Sequence, residues 1–193
     1  MADARLFQRL IMPDMTSFDE LEVSGLSHDR YIEITKNTVC IAKNLAGIQK
    51  IVVFPTISFC LFLFDDFVDQ KVESQLIVVH GAGSHSEIVR YSILRENAVL
   101  EAQMQLDISL HAEGAQASYL HKVLLLADSA RVITKPELVI FHDAVMGKHG
   151  ATISSVPQSE AEYLMARGIS SDTIKTMYAG IFEAQLCDLV LTK

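Results

Sequence analysis

AVLEAQMQLDISLH, residues 98–111, alternates apolar and polar side chains with a period of two. Every even position from Ala98 to Leu110 is apolar, and among the odd positions only Val99 is apolar. Because successive side chains of a strand point to opposite faces, this pattern predicts a β-strand with one face buried and the other in water.

A short motif recurs on both sides of this strand: an acid, a small or polar residue, and a small apolar residue. It begins at Glu96, Glu113, Asp128 and Asp143, which are nearly evenly spaced along the chain. Gly81, one such interval before Glu96, marks a weaker repeat because its Gly-Ala-Gly lacks the acid. If the motifs mark equivalent corners, the apolar residues between them align in two columns: Leu106, Val123, Leu138 and Ile153 in one, and Ile108, Leu125 and Ile140 in the other.

A fixed period with aligned apolar columns is typical of a solenoid, in which each unit buries its inner face against its neighbours. Rungs of about 15 residues are too short for a helix and a strand together. We therefore expect a mainly β protein with a parallel β-helix core of short strands and tight corners. An antiparallel meander with coincidental spacing is the alternative.

The composition excludes several functional classes. The 193 residues carry a net charge of −8 without a cluster of Lys and Arg, so neither a nucleic acid nor an anionic membrane is an expected partner. The longest apolar run, Ile51 to Phe64, is shorter than the roughly 20 residues of a bilayer span. Residues 1–14 lack the apolar core of a signal peptide. Three widely separated cysteines form no CxxC pair, which indicates free thiols in a reducing compartment, and we expect a cytoplasmic protein.

The C-terminal part changes from a strand pattern to a helix pattern. Ser159 and Glu162 form a capping-box pattern for a short helix from Ser159 to Ala166, which Gly168 then ends. Ser171 can cap a second helix whose apolar residues fall on one stripe. A small helical cap is therefore expected after the β portion.

These patterns divide the chain into two parts. We expect a β-helix core with a short N-terminal segment in residues 1–155, and a helical domain in residues 156–193. The N-terminal third is less regular: Ser17 to Leu21 predicts a helical turn, and residues 31–34, 51–54 and 61–64 predict strands.

Four segments between residues 123 and 182 carry a family resemblance. They are VLLLADSARVITKPELVIFHDAV (Val123 to Val145), HGAT (His149 to Thr152), YLMARGI (Tyr163 to Ile169) and AGIF (Ala179 to Phe182). In order and spacing they resemble the C-terminal part of the SufB/SufD family of iron–sulfur cluster assembly proteins. The resemblance is strong over about a third of the chain, is only general in the preceding segment from Tyr91, and is almost absent from the first eighty residues.

The resemblance implies a right-handed parallel β-helix followed by a helical domain. It also implies a scaffold role without catalysis, in which the chain pairs with a SufB-like subunit, or forms a homodimer when alone, and binds a SufC-like ATPase. The HGAT segment is similar to SufD, because SufB has an acid in place of Gly150. No tightly bound cofactor is implied, only a transient iron–sulfur cluster or iron at the subunit interface.

Two departures from the family pattern are visible. Family members are about twice as long, so the resemblance implies a shortened solenoid. Gly147 stands where the family often has a cysteine, and Ala144 stands where it has a second acid. These differences argue against iron or sulfur being carried by this subunit alone.

His149 is the candidate site residue at the implied interface. A neutral imidazole binds borderline metals and titrates near physiological pH, so His149 could hold iron together with ligands from the partner. The alternative is a histidine that only hydrogen-bonds across the interface. Asp143 could orient His149, although it is better explained as the polar residue of a corner.

The resemblance also implies an ATPase-binding surface on the helical domain. Its candidate residues are Tyr163, Leu164, Arg167, Gly168, Met177 and Tyr178. The other histidines show no metal-binding spacing, and neither a nucleophile elbow nor a complete P-loop is present.

Two rival interpretations come from other classes. A left-handed β-helix acyltransferase needs a hexapeptide period, which the longer spacing of the motif contradicts. A polymerising β-solenoid such as a bactofilin, acting as a structural protein without cluster chemistry, would lack the C-terminal helices, and we keep it as the alternative.

Overall fold

The computed structural model describes residues 19–23 and 30–192, with side chains from Tyr31 onward. This part of the chain contains eleven strands and then two helices. The strands are β1 (Asp19–Val23), β2 (Arg30–Ile34), β3 (Thr38–Lys43), β4 (Gly47–Val53), β5 (Ser58–Val68), β6 (Lys71–His80), β7 (His85–Arg95), β8 (Val99–Ile108), β9 (Gln116–Leu125), β10 (Arg131–Ile140) and β11 (Met146–Ser155). The helices are α1 (Gln158–Met165) and α2 (Ser171–Leu191).

Successive strands alternate between two parallel sheets. Sheet A has the order β1-β3-β5-β7-β9-β11, and sheet B has the order β10-β8-β6-β4-β2. All strand pairs are parallel, so the chain winds from one sheet to the other and back in every turn. The predicted parallel β-helix with C-terminal helices is confirmed.

The repeat seen in the sequence corresponds to half a turn. Val99 of β8 pairs with Arg131 of β10, and Gln116 of β9 pairs with Met146 of β11, so in-register partners are two repeat units apart. Each repeat unit is thus one strand and one corner, and two units complete a turn. The motifs at Glu96 and Glu113 accordingly lie at opposite edges of the solenoid.

The single inward column expected for four apolar residues is therefore wrong. Leu106 pairs with Leu138 in sheet B, and Val123 pairs with Ile153 in sheet A. In-register residues of a parallel pair face the same side, so these four form two columns on the facing inner surfaces of the two sheets.

The N-terminal third continues the solenoid. The three predicted strands lie within β2, β4 and β5, but the expected helical turn is wrong because Asp19–Val23 is a strand. Its residues Ser17 and Phe18 lie outside the described part. Turns contain fewer residues here: Arg30 of β2 pairs with Gln49 of β4, whereas Val99 of β8 pairs with the more distant Arg131 of β10. The changing length of the turn hides the repeat in the sequence.

β5 contains the second half of the longest apolar run of the sequence, Ile51 to Phe64. Its inward residues Phe59, Leu61 and Leu63 are buried in the core between the sheets. Its outward residues Phe62 and Phe64 are also buried, because α2 covers the outer face of sheet A. A strand covered on both faces has no reason to alternate apolar with polar residues.

α2 packs along the outer face of sheet A. Ala179, Phe182 and Leu186 are buried there, and the ring of Phe182 lies 4.8 Å from that of Tyr91. Ser170 caps α2, its hydroxyl accepting from the Thr173 amide at 3.2 Å. α1 follows Pro157 and has no side-chain cap, so the capping box predicted at Ser159 is wrong.

The helices lie beside the solenoid and do not cover its C-terminal end. Strands end at Ser155 and α1 begins at Gln158, close to the expected domain boundary. Whether the helices form a separate domain stays a prediction. None of the helices in the described residues is long and apolar enough to cross a membrane.

A buried ion pair lies between the sheets. Arg90 Nε of β7 donates to Asp65 Oδ2 of β5 at 2.6 Å, and both side chains are almost fully excluded from solvent. Arg90 Nη1 also donates to Ser74 Oγ of sheet B at 2.6 Å. Asp65 Oδ1 accepts from the Leu45 amide at 3.0 Å, and Asp65 Oδ2 also accepts from Ser92 Oγ at 2.8 Å. The pair therefore links both sheets and three successive turns.

We predict that Asp65→Ala lowers the free energy of unfolding by about 3–5 kcal/mol, because it leaves the Arg90 guanidinium buried without its counter-charge. Urea denaturation measures the change. Asp66→Ala is the matched control: Asp66 also pairs with an arginine, Arg95 at 2.7 Å, but at a partly exposed site, so about 1 kcal/mol or less is expected. Equal losses in the two variants would contradict the assigned role of the buried pair.

Candidate functional site

The last strand of sheet A exposes residues that belong to the inner face. Four residues of β11 are in register with buried residues of β9 and therefore point inward: Gly147, His149, Ala151 and Ile153. In the described part of the chain, β11 has a strand neighbour on one side only. Ile153 is consequently 51% exposed although its side chain faces the interior.

β10 ends sheet B in the same way. Its inward residues stack on buried residues of β8 and are Val132, Thr134, Pro136, Leu138 and Ile140. Ile140 is 43% exposed, and beyond it Phe141 is 64% exposed. We call the inward rows of β10 and β11, with their unpaired backbone edges, the open end. Unpaired parallel strands with exposed apolar side chains are a surface on which another chain can dock.

His149 lies in the middle of the open end. It is exposed, and it is in register with the buried Tyr119 of β9. Asp143 lies in the corner before β11, and within residues 30–192 no hydrogen bond joins the two. At that corner His142 Nδ1 accepts from the Ala144 amide at 3.1 Å. The structure does not bring Asp143 and His149 together.

The two glycines beside His149 have different surroundings. A Cβ built on Gly147 would lie 2.8 Å from both Cδ atoms of Leu138, so that inward position has no free space. A Cβ on Gly150 would meet only Leu120 Cδ1, at 3.8 Å. The position where the family pattern often has a cysteine is therefore filled from β10 in this chain.

The open end does not itself hold a metal site. No group of three His, Cys, Asp or Glu side chains suited to a metal ion occurs among the residues whose side chains are described. The cysteines lie elsewhere, with Cys40 buried and Cys60 and Cys187 partly buried. From Tyr31 onward, no further side chain stands ready beside His149 to complete the ligand set of an iron ion.

The candidate ATPase-binding residues form an exposed surface on the two helices. Tyr163 of α1 is 56% exposed, and the Arg167 guanidinium lies 4.3 Å from its ring centre. Met177 of α2 is 46% exposed. Tyr178 is less available, because its hydroxyl donates to the Glu160 carboxylate. Leu164 is half-buried, and Gly168 ends α1 with a φ of 86° and no atom within 4 Å of a built Cβ.

The apolar rim of the open end was not predicted from the sequence. Ile140, Phe141 and Met146 are all largely exposed. The available signal was the uninterrupted apolar run Leu138 to Phe141 at the end of β10. Such a run at a strand end can indicate either a buried corner or an exposed rim, and only the strand order decides between them.

The fold and the site together define a β-solenoid protein with an open last turn and two flanking helices. Residues 67–179 match the family model described as "SUF system FeS cluster assembly, SufBD core domain". Because this match covers more than half of the 193 residues, the chain belongs to the SufBD family. The family predicted from the four sequence segments is confirmed.

Individual relatives agree with this assignment. The chain is 35% identical over 79 residues to an iron–sulfur cluster assembly SufBD family protein of Synechocystis, which covers 41% of this chain and 17% of the relative. Identity to the iron–sulfur cluster assembly protein SufD of Escherichia coli is 31% over 83 residues, 43% of this chain and 20% of that protein. Identity to SufD of Bacillus subtilis is 29% over 96 residues, which is 50% of this chain and 22% of that protein. The matches thus span less than a quarter of each relative.

We predict that Gly147→Ala lowers the free energy of unfolding by about 1–2 kcal/mol, because the added methyl group forces Leu138 out of its position. Gly150→Ala, in the same strand but facing outward, should be neutral or slightly stabilising. Thermal and urea unfolding of the two variants provide the comparison. If both changes have the same effect, Leu138 does not fill the inner space beside Gly147.

Proposed function

We propose that this chain is a SufD-like, non-catalytic scaffold subunit of iron–sulfur cluster assembly in the cytoplasm, and that its open end pairs with a SufB-like subunit. The observation that carries the proposal is the open end itself, an inward-facing apolar row left exposed at the last turn. The SufBD family match and the two relatives named SufD support the assignment to cluster assembly.

The physical case for pairing rests on the exposed core residues. Ile140, Ile153 and Phe141 are between 43% and 64% exposed. Full burial of such a side chain contributes about 1.5–3 kcal/mol. The unpaired edges of β10 and β11 also leave backbone groups that a strand of another chain could satisfy. A partner with its own solenoid end would cover these apolar side chains and would also supply strand edges that pair with β10 and β11. When no such partner is present, a second copy would pair in its place.

Iron enters this proposal as the cargo of the complex. His149 is at the centre of the open end, where a pairing surface would enclose it together with groups of the partner. A neutral imidazole is a suitable ligand for iron while the cluster is built. The cysteine or carboxylate ligands would come from the partner subunit, because the open end of this chain supplies neither beside His149.

The exposed surface of α1 and α2 would bind a SufC-like ATPase. Tyr163 and Met177 have the large exposed area typical of residues that anchor an interface. α1 has no buried residue of its own, so a partner that packs on it would also stabilise it. The rival interpretation, a polymerising solenoid without cluster chemistry, is not favoured by the family match.

We predict that His149→Ala leaves complex formation nearly unchanged but strongly lowers the iron recovered with the complex. An exposed imidazole contributes little to a large interface, whereas the loss of a ligand removes iron directly. The chain would be co-purified with its SufB-like and SufC-like neighbours, and iron measured by mass spectrometry. His142→Ala, at the nearby corner, is the control. Unchanged iron in His149→Ala would make His149 an interface residue only, and a wild-type chain that binds no partner would contradict the proposed function.

We predict that Met177→Glu combined with Tyr163→Glu abolishes pull-down of the SufC-like ATPase, because charges replace the apolar anchors. Neither side chain is buried, so the fold should be retained, as circular dichroism can verify. Gln105→Glu, on the outer face of sheet B, adds one negative charge away from the helices, against two in the double variant, and should bind normally. Wild-type binding by the double variant would place the ATPase elsewhere.

A further inference from the structure

His121 joins the two sheets directly beneath the last turn. It points inward from β9 and is fully buried. Its Nε2 lies 2.9 Å from Ser92 Oγ of β7, and its Nδ1 lies 3.1 Å from Thr134 Oγ1 of β10. Thr134 belongs to the open end, so His121 provides a hydrogen bond from sheet A to the last strand of sheet B.

The hydrogen bonds determine the protonation state of the imidazole. Ser92 Oγ donates its only proton to Asp65 Oδ2 at 2.8 Å, because a carboxylate paired with Arg90 can only accept. Ser92 Oγ must then accept from the Nε2–H of His121. The Nδ1 of His121 is consequently unprotonated and accepts from the hydroxyl of Thr134. The arrangement fits the neutral ring with its proton on Nε2. A second proton, on Nδ1, would have to be donated to Thr134 Oγ1, and the Thr134 hydroxyl proton would then lose the ring nitrogen as its acceptor.

The surroundings also oppose a charged ring. Burial, and then the positive charge of Arg90, hold the pKa of His121 well below its ordinary value of 6.5. Burial raises the pKa of Tyr119, beside His121 on β9, to about 12, so this phenol stays neutral. In sheet A, His121 is in register with Arg90 on β7 and Ala151 on β11, and the nearest inward titratable side chain on β11 is His149. In sheet B, Thr134 on β10 is in register with Ala102 on β8 and Ser74 on β6. Asp65 on β5 is linked to the ring only through Ser92.

We propose that His121 is a proton-operated tie: the neutral ring holds β10 against β9, and protonation releases β10 and loosens the open end. The release of β10 rests on the burial of His121 next to Arg90 and on its hydrogen bond to Thr134, and it does not depend on the proposed function. Its consequence, that acid weakens pairing with the partner, rests on the proposed function.

The pH range in which β10 opens follows from the difference between the pKa values of His121 in the closed and the detached state. When β10 detaches, His121 becomes solvated and titrates near 6.5, whereas in the closed state it stays neutral to much lower pH. The detached state therefore binds more protons below pH 6.5, and the closed state loses relative stability as the pH falls. The equilibrium constant for opening should rise by about tenfold between pH 7.5 and pH 5.5.

His80 provides an internal comparison. It is also buried, with Nε2 2.6 Å from Ser86 Oγ and Nδ1 3.2 Å from the Asp107 carbonyl oxygen, and burial lowers its pKa. Its strand β6, however, is paired on both sides by β4 and β8. Local unfolding costs least free energy where a strand loses the fewest neighbours. The hydrogen bond of His121 to β10 should therefore open at a higher pH than the hydrogen bonds of His80 on β6.

Hydrogen exchange of backbone amides at pH 7.5, 6.5 and 5.5, corrected for intrinsic exchange rates, tests the proposal. Opening of β10 should increase about tenfold over this range while that of β6 and β8 changes far less. His121→Gln, whose amide can both donate to Ser92 and accept from Thr134, should abolish the pH dependence of β10. His142→Gln, at the exposed corner, should retain it. Opening of β10 that is independent of pH, or a dependence retained in His121→Gln, would overturn the proposal.

A second measurement does not depend on how well the variant folds. Nitrogen NMR of wild-type histidine side chains should show His121 neutral with its proton on Nε2 at pH 7; a proton on Nδ1 would overturn the tie. Pairing with the SufB-like subunit, measured at pH 7.5 and 5.5, then separates the two proposals. If β10 opens in acid as expected but the chain never pairs, the tie stands and the proposed function fails.

Discussion

The structure depends on in-register parallel pairing between successive turns. Each strand, apart from those at the ends, has one neighbour on either side, from the turn before and the turn after, and so each inward side chain stacks on an equivalent one. This stacking satisfies the backbone and buries the core at once. The last strand of each sheet, however, has no further neighbour, so one backbone edge stays unpaired and its inward side chains stay uncovered. The open end is therefore a direct result of the fold, and the candidate site lies where the stacking stops.

The inside of the solenoid is not uniformly apolar. Asp65 and Arg90 replace two core positions with charges. Ser74 accepts from Arg90, Ser92 donates to Asp65, and His121 is hydrogen-bonded in turn to Ser92. An apolar stack can slip by one repeat without large loss, whereas a buried charge that misses its partner is costly. The polar residues thus specify which turns lie next to each other.

Much of the fold could be predicted from local patterns. The alternation in residues 98–111 predicts β8, and the acid-containing motif marks real corners, at Glu96 and Glu113 for example. The length of a full turn could not be predicted, because equivalent half-turns give the same apolar spacing whether they lie in one sheet or two. It could not be predicted either that the Leu138 side chain fills the space beside Gly147, because this contact depends on the distance between the two sheets. His149 could be singled out from the HGAT segment, but its exposure follows only from the strand order.

The helix α2 has a consequence for how the molecule comes apart. Stacked repeats held only by nearest neighbours behave as a one-dimensional array, which can fray from its ends one unit at a time. α2 contacts a single apolar cluster drawn from β3, β5, β7 and β9, and thus from successive turns of sheet A. Removing any one of these turns exposes part of the helix as well. The helix makes the unfolding of these turns cooperative, and β10, an end strand that contributes nothing to that cluster, can melt without disturbing the helix.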